Sequence, residues 1–280
     1  SIVDNITECE INDCPGFSNV TPFQKATELR LVCCSMLEDV STLSQLYSVS
    51  IVGAWYLTDV TALRNVHTVS LEICLELRDI SALTGVHMLT LGNCDKLINI
   101  TGLSKLHTLE ISSCPKISDV STLCNVTNLC IRKCPNITDV SGLGSVKELE
   151  LWSCTGITSC DGLNTVHSLT LSQLPNLINI NNLNYIRELR ISSCKNIETA
   201  MSELTDVGTL TIYDCRYMKS DVKTARVYGK SIQYKKPTPI EKSKDSEWSS
   251  IMIVIGIYVT VLIITYYGTF LLVYGLKYLV

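Results

Sequence analysis

The sequence predicts an α/β solenoid, a stack of short coils that share one parallel β-sheet. A short apolar phrase recurs every 20 residues from Cys9 to Leu189 without a slip. Each repeat opens with two aliphatic residues separated by one polar residue, the alternation of a strand with one buried face. A unit of this size cannot bury its own apolar face, so neighbouring units must stack.

Residues 129–148 illustrate how one repeat is built. Leu129 and Ile131 mark the strand. The apolar residues that follow are spaced by three, which favours a tight 3₁₀ or helical return path on the outer side of the coil. They are Ile137, Val140, Leu143 and Val146.

Counting these strands predicts about eleven rungs over residues 1–222. Val3 and Ile6 are already in phase with later repeats, so we expect the first rung to be incomplete. One extra residue between Ile197 and Leu204 shifts the last predicted strand to Leu210 and Ile212. Such an irregularity is typical of a terminal capping unit.

A polar column precedes each predicted return turn. Serine, threonine, aspartate and asparagine are good N-caps, so we expect their side chains to bind free N–H groups where the turn begins. The column consists of Thr21, Ser41, Thr61, Ser81, Thr101, Ser121, Ser141, Asp161 and Asn181.

A second column contains nine of the fourteen cysteines, three residues after the second strand position. We interpret them as buried free thiols; disulfides between rungs and a metal site are the alternatives, although no ligand spacing typical of a metal is present. The off-ladder Cys33, Cys124 and Cys130 are expected to be exposed. The ladder consists of Cys14, Cys34, Cys74, Cys94, Cys114, Cys134, Cys154, Cys194 and Cys215, with Ala54 and Leu174 in the two gaps.

The phrase Leu-x-Leu-x-x-Cys resembles the leucine-rich repeat. The phrases at 117–123 and 137–143, Ile-Ser-Asp-Val-Ser-Thr-Leu and Ile-Thr-Asp-Val-Ser-Gly-Leu, resemble the short repeats of bacterial internalins. Combined with the cysteine ladder, they resemble leucine-rich-repeat surface proteins of protozoan parasites, including trypanosomes. The resemblance implies a curved solenoid whose concave parallel sheet grips a partner. The 20-residue period and the use of cysteine instead of asparagine depart from the family pattern.

Residues 251–276 contain no charged side chain and are long enough to cross a bilayer as one helix. We therefore predict a transmembrane helix at 251–276, a lysine- and proline-containing juxtamembrane linker at 223–250 and a short tail at 277–280. A lipid-anchor attachment signal is a less favoured alternative, because the polar spacer that it needs is missing.

The sequence gives conflicting signals for membrane orientation. Lysines are concentrated before the predicted helix, which would keep the repeats in the cytosol. Long domains cross membranes largely regardless of charge, and the chain carries five Asn-x-Thr sequons that would be glycosylation acceptors outside. We expect the repeats to lie outside the cell. The candidate acceptors are Asn5, Asn19, Asn99, Asn125 and Asn136.

One group of side chains on the predicted concave face differs from its small polar surroundings. Tryptophan and arginine are enriched at binding hot spots, so this group is our candidate contact site. It consists of Arg132, Glu148, Glu150, Trp152 and Arg190. A further column contains all four histidines, His67, His87, His107 and His167, and the first three should stack about 5 Å apart.

The sequence thus favours a membrane-anchored, non-catalytic protein that binds a protein or a glycan, with the bilayer contacted through 251–276. No nucleophile–base pair or phosphate loop points to an enzyme, and no cofactor is expected. A net charge of −4 does not suggest a nucleic-acid partner. The alternatives are a tail-anchored cytosolic scaffold and a structural or antigenic surface-coat protein.

Overall fold

The computed structural model describes residues 7–103, 106–197, 204 and 206–215, together with a strand at 232–234. It contains a single sheet of twelve parallel strands in chain order, β1 to β12. The strands are Glu8–Asn12, Glu28–Val32, Ser48–Val52, Thr68–Glu72, Met88–Gly92, Thr108–Ser112, Asn128–Arg132, Glu148–Trp152, Ser168–Ser172, Glu188–Ser192, Thr209–Tyr213 and Ile232–Tyr234.

The predicted solenoid and its register are confirmed. Leu129 of β7 pairs with Leu149 of β8, one period later. The extra residue before β11 is also confirmed, because Leu189 pairs with Leu210. The short strand β12 pairs with β11 and lies within 223–250, the segment that the sequence predicts to be a linker.

The core forms because alternate strand residues point inward while the return path supplies the facing layer. Leu129 and Ile131 are buried on β7, and Ile137, Val140 and Leu143 cover them from the return side. Burying a side chain of this size contributes about 1.5–3 kcal/mol. Within the described residues, every buried side chain is apolar or a cysteine.

Five rungs return through a 3₁₀ turn, as the spacing of three predicts. These turns are Thr21–Phe23, Ser41–Leu43, Thr61–Asn65, Ser121–Asn125 and Ser141–Leu143. Two pairs of neighbouring rungs that lack a 3₁₀ turn are joined by an isolated parallel β-bridge just before the chain turns back. These bridges link Asp79 to Asn99 and Ser159 to Asn179.

The predicted capping role of the polar column is wrong. The residue at the cap position is the preceding aliphatic one, such as Val60, and its side chain makes no capping bond. The polar residue is instead the first residue of the turn, and its own N–H donates to an oxygen two residues earlier, as Thr61 N does to Asp59 Oδ1 at 2.8 Å. Short polar side chains make this local bond readily. The accepting residues are Asn19, Asp39, Asp59, Asp79, Asn99, Asp119, Asp139, Ser159 and Asn179.

The chain leaves each strand through a residue in the left-handed conformation. Lys133, for example, has φ = 52°, and its N–H donates to the carbonyl oxygen of Trp152 on the next rung at 2.8 Å. The turn therefore extends the sheet ladder by one bond. Gly53 occupies this position in one rung, and residues with side chains occupy it elsewhere.

The ladder cysteines follow these left-handed residues and point inward. Cys134 donates its S–H to the carbonyl oxygen of Arg132 at 3.3 Å. Burial raises the pKa of Cys134 to about 12, while a bond from the backbone N–H of Cys114 opposes this rise. All fourteen thiols are unpaired, in agreement with the preferred interpretation, and eight of the nine ladder cysteines are buried. Cys14 is exposed, contrary to that interpretation, because it belongs to the first described rung and has no complete rung before it to cover it.

The off-ladder cysteines are less exposed than expected. Cys33, Cys124 and Cys130 are half-buried, although the sequence predicted them to be exposed. Each is packed along its sides by the neighbouring rungs, a consequence of the short distance between rungs.

Several predictions fall outside the described residues. They are the transmembrane helix at 251–276, the tail at 277–280, most of the linker and the acceptor Asn5. Among the residues that are described, no helix is long and apolar enough to span a bilayer.

We predict that Asp59→Ala will lower the free energy of unfolding by about 1 kcal/mol, because Thr61 loses the acceptor for its N–H. Asp59→Asn retains an acceptor, as Asn99 does naturally, and should match the wild type at pH 7 in urea denaturation.

The bonds from Thr61 lower the pKa of Asp59. The contribution of the carboxylate should therefore be complete above the usual carboxyl pKa of about 4 and be lost as the pH falls through the lowered value. At pH 3 or below, Asp59→Asn should become more stable than the wild type. An Asn variant as unstable as the Ala variant at pH 7 would contradict this role.

Candidate binding site on the sheet

The solvent-facing side of the sheet carries an excess of negative charge. On β1 to β11 its charged side chains are eight glutamates and three arginines, a formal charge of −5, more negative than the −4 of the whole chain. They are Glu8, Glu10, Glu28, Arg30, Glu72, Glu110, Arg132, Glu148, Glu150, Glu188 and Arg190. The three arginines each pair with a glutamate of the same face, so the excess charge is unmatched within the face.

Arg132 is the centre of the predicted contact group. Its guanidinium donates to Glu110 at 3.2 Å and to Glu150 at 3.5 Å. It also lies over the ring of Trp152, 5.3 Å from the centroid. Arg132 and Trp152 face each other in register on β7 and β8, so the sheet spacing itself produces this cation–π contact.

Two nitrogen donors at this centre have no partner. Arg132 Nε and Trp152 Nε1 are both inaccessible to solvent and make no hydrogen bond. A buried donor without a partner costs free energy. The cluster is thus held by packing and by the ion pairs of Arg132 with Glu110 and Glu150.

Cys130 lies between the two carboxylates, in the same column as Glu110 and Glu150. Burial raises the pKa of Cys130 to about 12, and the negative charge of Glu150 adds to this rise. Cys130 lines an open depression of about 240 Å³ on the sheet.

The structure brings three of the five predicted contact residues together and places the other two at the edge. Arg132, Glu150 and Trp152 are in direct contact. Glu148 and Arg190 line the same depression, but Arg190 pairs with Glu188 at 3.1 Å. Two strand spacings separate Arg190 from Glu150, since Thr170 lies between them in register.

Sequence reasoning missed Glu110 as a member of the cluster. Its column is dominated by small hydroxyl residues, so a lone glutamate two rungs from Glu150 carried no clear signal. The signal that could have found it is the intervening Arg132, whose side chain is long enough to reach both neighbouring rungs.

The stacking of histidines is confirmed, and it includes one tyrosine. Tyr47 stacks on His67 at 4.6 Å between ring centroids, and His87 stacks on His107 at 5.1 Å. The rings of His67 and His87 lie 4.9 Å apart but are tilted by 37°. Tyr47 belongs to the same column, one rung earlier. Among the described residues, no group of three or more His, Cys, Asp or Glu is placed to hold a metal ion.

Among the described sequon asparagines, Asn19, Asn125 and Asn136 are exposed and Asn99 is half-buried. Asn125 is the one that we select for testing. It is exposed at the end of a 3₁₀ turn. Asn136 donates its Nδ2 to the carbonyl oxygen of Pro115 at 2.7 Å, so its amide already has a structural role. Asn19 and Asn99 use their side-chain oxygens to bind turn N–H groups.

No family model and no curated protein matches the chain. Among solved structures, it is similar to an internalin (inlF) from Listeria monocytogenes, with 16% identity, coverage of 83% of this chain and 88% of that chain, and a TM-score of 0.32. It is also similar to the functional domain of InlJ from Listeria monocytogenes, which includes a cysteine ladder; there the identity is 17%, the coverage is 75% and 58%, and the TM-score is 0.38.

The fixed period, the one parallel sheet of the described residues and the buried cysteine that follows most strands define the architecture of this chain. The chain therefore has the fold of a leucine-rich-repeat solenoid. The resemblance to protozoan surface proteins stays a prediction.

We predict that Glu150→Gln will accelerate the alkylation of Cys130 by about threefold or more at pH 8, because the thiolate is the reactive form and Glu150 disfavours it. The rate is measured by mass spectrometry of iodoacetamide-treated protein. Glu148→Gln, which also lines the depression, is the matched control and should leave the rate unchanged. Equal rates in both variants and the wild type would show that Glu150 does not control this thiol.

Proposed function

We propose that this chain is a non-catalytic, membrane-anchored leucine-rich-repeat protein that binds a protein partner through the solvent-facing side of its sheet. The observation that carries the proposal is the unmatched negative charge of that face around the Arg132–Trp152 cluster. A leucine-rich-repeat solenoid presents this face as a continuous surface, and proteins of this kind typically bind other proteins.

The charge of the face favours a basic protein over a glycan. Most glycans are neutral or acidic, whereas an acidic surface attracts a partner rich in lysine and arginine and speeds its association. Trp152 and Arg132 supply the hot-spot residue types at the centre of this field. The exposed glutamates around these two residues, such as Glu148, form the charged rim of the proposed binding site.

We propose that the repeats lie outside the cell and that residues 251–276 form the anchor. The support is the uncharged apolar run itself and the exposure of Asn125 in a sequon. The lysines that precede the run favour the alternative, a tail-anchored scaffold in the cytosol.

The binding proposal is tested by reversing charge on the face. The partner is first captured from a cell-surface and secreted proteome by the full chain. We expect Glu148→Lys with Glu150→Lys to slow its association by roughly tenfold at 50 mM NaCl and to flatten the salt dependence between 50 and 300 mM, as biolayer interferometry would record.

The control for this test is Asp161→Lys, a charge reversal on the return side of the solenoid. It should leave the association rate unchanged, and circular dichroism should show all variants folded. The proposal fails if the double variant binds as the wild type does, or if the captured ligands are acidic or neutral glycans.

The orientation is tested by glycosidase treatment of the chain expressed in a eukaryotic membrane. If the repeats are outside, enzymatic removal of N-glycans should increase electrophoretic mobility, and Asn125→Gln should remove one glycan increment because Asn125 is exposed. Asn136→Gln is the comparison and should remove less, since its amide is engaged with Pro115. Mobility unaffected by the glycosidase would favour the cytosolic scaffold.

A further inference from the structure

A group of large apolar side chains lies at the edge of the solenoid where the chain leaves strands β2 to β4. We call Met36, Trp55, Tyr56 and Leu75 the apolar edge patch. Met36 is 49% exposed and Tyr56 is 50% exposed, while Trp55 and Leu75 are half-buried. Because they occupy two adjacent columns on three consecutive rungs, successive members lie about one strand spacing apart.

The same columns are polar or small in the rungs that follow. At the two positions of the patch, these rungs carry charged, amide, hydroxyl, proline or glycine residues. They are Asp95, Lys96, Pro115, Lys116, Pro135, Asn136, Thr155, Gly156, Pro175, Asn176, Lys195 and Asn196. Comparison of the patch rungs with these later rungs shows that the fold does not require large apolar side chains at these positions.

The backbone beside the patch is strained in the rung that contains Leu75. Ile73 has φ = 56° and is 3% exposed, although a β-branched residue is unfavourable in the left-handed region. The equivalent residues of later rungs are Asn93, Ser113, Lys133, Ser153, Gln173 and Ser193. An apolar residue is thus retained next to the patch at the expense of local strain.

The patch is rigid because its rungs are joined by backbone bonds. Met36 N donates to the carbonyl oxygen of Pro15 at 3.1 Å, and Glu76 N donates to that of Trp55 at 3.2 Å. A preformed surface of this kind loses little conformational entropy when a partner binds.

The charges around the patch are predominantly negative. Asp13 contacts Cys33, Glu72 faces Val52 in register, Glu38 follows Met36 by two residues, and Asp95 lies one rung from Leu75. Glu76 is matched by Lys96, and Arg78 is the other nearby cation. The rim therefore carries five acids and two bases. An acidic rim repels anionic lipid headgroups and attracts lysine and arginine.

We propose that the apolar edge patch is a second docking surface, which adjoins the sheet face at Glu72, for a protein segment that presents an apolar side chain flanked by lysine or arginine. The apolar side chain packs between Trp55, Tyr56 and Leu75. The flanking cations lie over the acidic rim. Aromatic residues and methionine are the types most enriched at such contacts.

Phage display against the full-length chain in detergent tests this proposal. Peptides recovered on the wild type are counter-screened on Tyr56→Ser with Met36→Ser. We expect at least a tenfold loss of affinity for a set of peptides in which an aromatic or aliphatic residue stands next to Lys or Arg. Tyr185→Ser is the matched control, because Tyr185 is 76% exposed but belongs to another rung, and it should cost nothing.

Two further measurements identify other occupants. Sedimentation analysis shows whether the wild type self-associates, and flotation with phosphatidylcholine vesicles, with and without phosphatidylserine, shows whether it binds lipid. The proposal is overturned if no recovered peptide depends on Tyr56 and Met36, or if the dependent peptides lack basic residues. A dimer or vesicle binding that the double variant abolishes overturns it equally, since a second copy or a bilayer would then cover the patch.

Discussion

The constraint on which this molecule depends is the register between neighbouring coils. A single rung has one short strand and a few apolar side chains, so it can neither satisfy its backbone nor bury its interior alone. From Asp13 to Ser193, the left-handed residue after each strand donates its N–H to the next rung. Ladder thiols such as Cys94, Cys154 and Cys194 bond to carbonyl oxygens of their own rung and of the previous one. The same 20-residue spacing therefore sets the hydrogen bonds, the core and the columns of the surface.

The register also creates the candidate site, because it places residues from separate rungs side by side. Arg132 reaches Glu110 and Glu150 on either side and lies over Trp152, so four side chains from three strands form one cluster. The guanidinium is oriented by two carboxylates and held against the indole, which fixes its geometry before any partner arrives. The apolar edge patch has the same origin, since Met36, Tyr56 and Leu75 are far apart in the chain but lie on consecutive rungs.

What could be predicted from the sequence follows from the periodicity. The strand positions, the inward cysteines, the shifted strand β11 and the stacked histidines all repeat, so the pattern alone located them. The role of the polar column could not be read in this way. Asp59 and Thr61 both belong to suitable columns, and which of them accepts the bond depends on backbone geometry in the turn rather than on residue type. Glu110 was missed for a related reason. Arg132 reaches Glu110 from the neighbouring strand, and the residue types in the column of Glu110 do not indicate that contact. The charge of the sheet face follows from the same alternation, because the outward positions of every strand could be assigned from it.

The longer coil between β10 and β11 shows where this architecture accommodates a change in length. Leu189 and Leu210 remain paired although 21 residues separate them, so the additional residue falls between the two strands and their pairing is preserved. Insertions within a strand would instead turn inward-facing side chains outward. Duplication or loss of whole coils by recombination would consequently lengthen or shorten the molecule while every surviving column stays aligned. Insertions of a single residue would be tolerated between strands rather than within them.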